Sequence, residues 1–205
     1  MEHSDNTGNR YQELIDFGRL HGLIRPRDLI DLGFSRMAIT RLARRGNLIR
    51  IGRGLYATPE RKVSEHGTLA EVACQQPRVV VCLLSALRFH GLTTHLPFEV
   101  WLAIPNKARA PRMAYPPLRI VRFSGAALTE GIQEYLVDGV PVRITSVAKT
   151  VVDCFKYRHK IGLDVAIDAL HESWKEKKFQ MDDIWHLAAA CRVDHVMRPY
   201  MESLT

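Results

Sequence analysis

Residues 25–58 read RPRDLIDLGFSRMAITRLARRGNLIRIGRGLYAT. Their pattern predicts two short helices joined by a tight turn, then a small β-hairpin. Pro26 suits a first helical turn, where an N–H is not needed. Gly33 stops that helix, because glycine takes the left-handed conformation cheaply. Ser35 is a good N-cap for the next helix, which runs from Arg36 to about Arg45 and stops at Gly46. Its apolar residues, Ala38, Ile39, Leu42 and Ala43, recur at helical spacing. Arg36, Thr40 and Arg44 form one polar row; Arg41 and Arg45 form a neighbouring one. Leu48 to Ile51 and Leu55 to Ala57 read as strands around Gly52-Arg53-Gly54. Helix, turn, basic helix and Arg-tipped hairpin together make a winged helix-turn-helix. A helix of this diameter fits the DNA major groove, where arginines reach guanine edges and phosphates.

Charge is concentrated over the same stretch. Between Arg19 and Lys62 there are eleven Lys and Arg against Asp28, Asp31 and Glu60, a local excess of eight in a chain whose net charge is +7. The remainder is therefore near neutral. Positive charge gathered on a helix-turn-helix pattern is the footprint of duplex DNA. Surface arginines alone would be read as a solvated face, and small winged helices also bind proteins. The expected DNA contacts are Ser35, Arg36, Thr40, Arg41, Arg44, Arg45, Arg50 and Arg53.

The chain has 205 residues, 46% of them hydrophobic and 25% charged, which fits an ordinary globular protein of two domains. No apolar run approaches the ~18 residues of a membrane span. The start, MEHSDNTGNR, lacks the apolar core of a secretory signal, and residues 1–9 are expected to be a disordered tail. Cys74, Cys82, Cys154 and Cys191 form no C-x-x-C pair, so they read as reduced core residues of a cytoplasmic, nucleoid-associated protein. The expected domains are 10–60, with an opening helix from Tyr11 to His21 packed through Leu14, Ile15, Phe17 and Leu20, and 61–205. The second domain reads as α+β. A helix is expected from Thr68 to Gln75, a strand from Val79 to Leu83, and a short helix capped by Ser85. Strands follow at 100–104 and 119–123, then a hairpin around Asp138-Gly139, the strongest short hairpin signal present. The rest is helical: 147–157 capped by Ser146, 163–175, 182–191 and 194–202.

Catalytic motifs are missing. There is no phosphate-binding or dinucleotide-binding glycine signature. His171-Glu172 has no second histidine at zinc-helix spacing. Glu176 and Lys178 resemble the end of a nuclease E-x-K motif, but they lie in the charged terminus WKEKK. Lys149 and Asp153 at i, i+4 read as a helix-surface ion pair. Ser85 lacks the flanking residues of a nucleophile elbow. No enzyme, metal or cofactor is expected.

Several segments in order resemble one family. They are Gly46-Asn47-Leu48-Ile49-Arg50 and Gly54-Leu55-Tyr56; Ser85-Ala86-Leu87-Arg88-Phe89-His90-Gly91-Leu92; Pro97; Val100 to Pro105; Val142-Arg143-Ile144-Thr145; and Ala148-Lys149-Thr150-Val151-Val152-Asp153. From about Tyr11 to about Leu170 the chain resembles the AbiEi-type antitoxins, transcriptional regulators of type IV toxin–antitoxin systems. The resemblance implies a repressor that binds operator repeats of its own promoter. It also implies a nucleotidyltransferase-like toxin counteracted through the second domain, for which Lys149, Asp153 and Arg158 are the candidate residues. The alternatives are a winged-helix regulator whose second domain binds a ligand or a protein, and a nucleic-acid-processing enzyme. With one helix-turn-helix and no heptad repeat, the chain is expected to be a monomer that pairs on DNA.

Overall fold

The computed structural model describes residues 5–52 and 54–204. The chain divides into two compact units, one of residues 1–77 with 136–142, the other of residues 78–135 with 143–205.

The first unit opens with α1 (Asp5–His21), α2 (Pro26–Asp31) and α3 (Arg36–Arg44), continues with β1 (Ile49–Gly52) and β2 (Leu55–Ala57), and includes α4 (Gly67–Gln75). Its core is Leu14, Ile24, Leu29, Phe34, Ile39 and Leu48, one or two apolar residues from each segment. Phe17 and Tyr56 pack on it from the side. The turn from α2 to α3 is built as read. Gly33 has φ +82°, and Ser35 Oγ accepts from Ala38 N at 3.2 Å. Asp28 adds a local cap, its carboxylate accepting from Arg25 N at 2.7 Å. β1 and β2 pair antiparallel with an irregularity between Arg50 and Gly52. Ile24 extends this ribbon: its N–H donates to Tyr56 O and its carbonyl accepts from Tyr56 N, both at 2.8 Å.

Three expectations are corrected here. Helix α1 begins at Asp5, so residues 5–9 of the expected tail are helical; residues 1–4 lie outside the described residues. Gly8 and Asn9, poor helix formers, hid that extension. Leu20 is 74% exposed, because the buried row of α1 runs through Leu14 and Gly18. The boundary expected between residues 60 and 61 falls inside the first unit. Arg61 is almost fully buried and donates to Glu71 at 3.1 Å and to Asp138 at 3.2 Å. Ser64 N also donates to the Asp138 carboxylate, at 3.3 Å. One guanidinium between two carboxylates thus holds the segment after β2, helix α4 and the turn at Asp138 together, through charge-assisted bonds.

The second unit contains β3 (Val80–Val81), α5 (Leu83–Phe89), β4 (Val100–Pro105), β5 (Leu118–Phe123) and α6 (Ala126–Thr129). Next come β6 (Ile132–Val137) and β7 (Val140–Thr145), whose turn belongs to the first unit. Helices α7 (Val147–Lys156), α8 (Arg158–Ile161), α9 (Leu163–Lys175), α10 (Met181–Ala190) and α11 (Asp194–Glu202) follow. The sheet runs β5-β4-β3-β7-β6. β4 lies antiparallel to β3 and parallel to β5, and β3 lies parallel to β7, so the sheet is mixed. The chain is thus α+β, as expected. The strand read over 79–83 is shortened to Val80–Val81, because Leu83 already belongs to α5. Ser85 does not cap that helix. It sits inside α5, buried, and its Oγ accepts from Trp101 N at 2.9 Å, tying α5 to β4.

Candidate nucleic-acid interface

Helix α3 has one apolar and one charged side. Ile39 is buried, with Ala38, Leu42 and Ala43 packed beside it on the core of the first unit. Arg36, Met37, Thr40, Arg41, Arg44 and Arg45 are exposed. Among the described residues, none of these four arginines has a carboxylate partner. By contrast, Arg25 and Arg27 of the preceding segment both lie against Asp28, at 3.2 and 3.6 Å. Within residues 25–45 the arginines without a carboxylate partner therefore lie on α3 and its C-cap. The Thr40 hydroxyl donates to Arg36 O at 3.1 Å, which leaves its oxygen lone pairs outward as acceptors. Ser35 is exposed but committed to its capping bond.

Met37 lies on the same exposed side of α3, a placement its apolar character does not suggest. It is 76% exposed and stands at i, i+3, i+4, i+7 with Thr40, Arg41 and Arg44, the outward row of the helix. That spacing was the available signal, but an apolar residue at such a position is ordinarily assigned to the core. On the hairpin, Arg50 is exposed and its Nε donates to Gly52 O at 3.3 Å. Arg53 lies outside the described residues.

The expected second-domain site is different from its reading. Lys149 and Asp153 form no surface ion pair: both side chains are fully buried, with Nζ–O distances of 2.5 and 2.6 Å. Every residue of α7 from Ala148 to Phe155 is buried, because the helix is covered on all sides. Lys149 Nζ also lies 4.7 Å from the centroid of the Phe123 ring. Burial pushes the Asp153 carboxyl up to about 6 against the opposing pull of Lys149. These two residues hold the core and offer nothing to an incoming protein. Arg158 is half-buried, and its Nη1 donates to Phe155 O at 2.9 Å.

Glu176 and Lys178 pair with each other at 2.5 Å, and Lys178 also donates to His90 O at 2.7 Å. His90 Nε2 donates to Thr145 O at 2.7 Å. Cys82, Cys154 and Cys191 are buried and unlinked; burial raises their thiols above the ordinary range. Among the described residues, no group of three His, Cys, Asp or Glu is placed to hold a metal ion, and no helix is long and apolar enough to cross a membrane.

Comparison with curated proteins yields no match. The fold is similar to a solved structure titled "Crystal structure of RV2827C protein from Mycobacterium tuberculosis". The likeness covers 95% of this chain and 80% of that chain at 15% sequence identity, with a TM-score of 0.59. Residues 12–59, from α1 through the β1–β2 hairpin, match the model of the family described as "Transcriptional regulator, AbiEi antitoxin", and this segment carries that family's sequence signature.

Proposed function

We propose that the chain is a DNA-binding transcriptional regulator of a toxin–antitoxin operon, and that α1 to β2 form a winged helix-turn-helix. The observation that carries this reading is the exposed side of α3 and its C-cap: Arg36, Arg41, Arg44 and Arg45 are exposed and, among the described residues, without carboxylate partners, while the opposite side of the helix packs on the core. The family match over residues 12–59 supports it. In this reading α3 enters the major groove. Arg41 and Arg44 reach base edges, while Arg36 and Arg45 hold phosphates. The β1–β2 hairpin is the wing, with Arg50 and Arg53 on the backbone or the minor groove. The protein represses its own promoter, and the second unit counteracts a nucleotidyltransferase-like toxin. With Lys149 and Asp153 buried, contact with a toxin falls to Arg158 and to exposed surfaces of that unit.

Gel shifts on the protein's own promoter test the reading. Arg41→Ala and Arg44→Ala should each weaken operator binding by about tenfold, since a bidentate arginine–guanine contact contributes about 1–3 kcal/mol. Unchanged affinity in both variants would exclude α3 as the reading helix. A second reading, a regulator whose second unit senses a small molecule, has one observation in its favour. A cavity of about 650 Å³ in that unit is lined by Gln133, Tyr135, Lys178 and His186, among others. Operator affinity unchanged by a metabolite library, with toxin protection intact, would decide against it.

A further inference from the structure

The connection from β4 to β5 carries a charge pattern that operator binding through α3 leaves unused. From Val100 to Thr129 the chain holds Lys107, Arg109, Arg112, Arg119 and Arg122 and no Asp or Glu. Two of these are engaged. Arg122 Nη1 donates to Pro105 O at 3.3 Å, Asn106 O at 2.5 Å and Ala108 O at 2.9 Å, which fixes the root of the connection. Arg119 lies 3.9 Å from Glu99 and 5.6 Å from the centroid of the Trp101 ring. Lys107, Arg109 and Arg112 are exposed, and among the described residues none has a carboxylate partner.

Exposed rings stand at the far end of the same connection and just before β4. Tyr115 is 73% exposed and Phe98 83%. β4 and β5 run parallel with Val100 opposite Leu118, and Val100 N donates to Pro117 O at 2.9 Å. Phe98 and Tyr115 therefore precede neighbouring strands at one end of the sheet. Pro111, Pro116 and Pro117 restrict the backbone between the cations and the rings. Two large aromatic residues left exposed just before neighbouring strands are not explained by folding, which favours burying them.

We propose that this connection is a binding site for single-stranded nucleic acid, distinct from α3. Lys107, Arg109 and Arg112 hold backbone phosphates, and Tyr115 and Phe98 present ring faces to unstacked bases. The rings decide between single strand and duplex. In a duplex the base faces are stacked inside and only phosphates and groove edges are accessible, so exposed rings gain nothing. A single strand offers phosphates and free base faces together, and cation-lined, aromatic-bearing surfaces match that combination.

The test is fluorescence anisotropy on the full-length protein with labelled oligo-dT and oligo-rU of roughly 20 nucleotides, and a duplex of unrelated sequence. Lys107→Ala/Arg109→Ala/Arg112→Ala should weaken single-strand binding by at least about tenfold and flatten its log–log salt slope by about two. Tyr115→Ala and Phe98→Ala should each weaken it by about tenfold at an unchanged slope, the effect of losing one base–ring stack. Arg41→Ala/Arg44→Ala should lose operator duplex and keep single-strand binding. All variants lie on exposed positions and should retain the wild-type unfolding midpoint. Wild-type protein that binds neither oligonucleotide overturns the proposal. So does loss of single-strand binding in the α3 variant. If the triple variant weakens duplex and single strand alike while both ring variants are silent, the connection is a general phosphate patch and the proposal also fails. Poly-glutamate bound at this surface in preference to either oligonucleotide would identify an acidic protein partner instead.

Discussion

Replacing Lys149 by methionine strands a carboxylate in the core of the second unit. Both side chains of the Lys149–Asp153 pair are fully buried and the ammonium lies 2.5 and 2.6 Å from the two carboxylate oxygens. Removing one partner of such a pair costs about 3–5 kcal/mol, because the other charge stays without compensation. Against a typical domain stability of about 5–15 kcal/mol, that is a large loss. Asp153→Ala should cost a similar amount, by stranding the ammonium. Lys149→Met/Asp153→Ala removes both charges and should return to within about 1–2 kcal/mol of wild type, since an apolar replacement of a buried pair is often neutral. The pH dependence separates the two singles. Asp153 has a folded pKa of about 6 against an ordinary 3.8, raised by burial with Lys149 opposing. A carboxyl raised on folding leaves stability untouched below its unfolded pKa, and lowers it progressively as pH rises to the folded one. In Lys149→Met the folded pKa moves higher still. The extra loss therefore accrues above about pH 6 and fades below it. Trp101, Trp174 and Trp185 all belong to the second unit, so tryptophan fluorescence in urea follows this unit. Midpoints of the singles should fall by about 1–5 M at pH 8, from a loss of about 3–5 kcal/mol and a slope of about 1–3 kcal/mol/M. Singles within 1 kcal/mol of wild type, or a double as unstable as the sum of the singles, would refute the reasoning.

Other expectations follow from single contacts. Arg50→Ala should weaken binding to all duplexes about equally and reduce the salt slope by about one, one phosphate contact being lost; a loss confined to one sequence contradicts a backbone role. Ser35→Ala removes the acceptor of the Ala38 N–H and should cost about 1 kcal/mol, read as a lower melting temperature. Gel shifts on one and two half-sites, with light scattering of the free protein, should show a monomer that binds paired sites cooperatively. The second copy then meets a raised effective concentration, and a stable dimer without DNA contradicts this.

Where an element depends on its own residues, the sequence showed it well. Helix α11 spans the residues read for it, and the β6–β7 turn falls on Asp138-Gly139. The charged side of α3 followed from spacing alone, since exposure there is simply the side opposite Ile39 and Leu42. Only Met37 on that face was overlooked. The expected boundary after residue 60 failed for a non-local reason. Arg61 and Asp138 are 77 residues apart, and no local pattern joins them.

Lys149 and Asp153 failed in another way. Their partnership is local and was read correctly, one turn apart on a helix. Their burial is not local. The cover over α7 is supplied by segments far along the chain, among them Phe123, Leu170, Leu187 and Met197 of the same core. A helix carrying an i, i+4 ion pair is ordinarily solvated on that face, so the default placed the pair outside. The countersignal lay in the neighbours. Val147, Ala148, Val151, Val152, Cys154 and Phe155 leave no arc of the helix wide enough for water, and Thr150 completes the circuit with its hydroxyl satisfied by Thr145. A charged pair inside such a ring has only two outcomes, an exposed apolar helix or a buried, mutually compensated pair. The second has the lower free energy when the two charges reach each other within one turn. The same reasoning bears on function: a charge that is compensated inside the fold cannot recognise a partner, whereas the arginines of α3 remain free to do so.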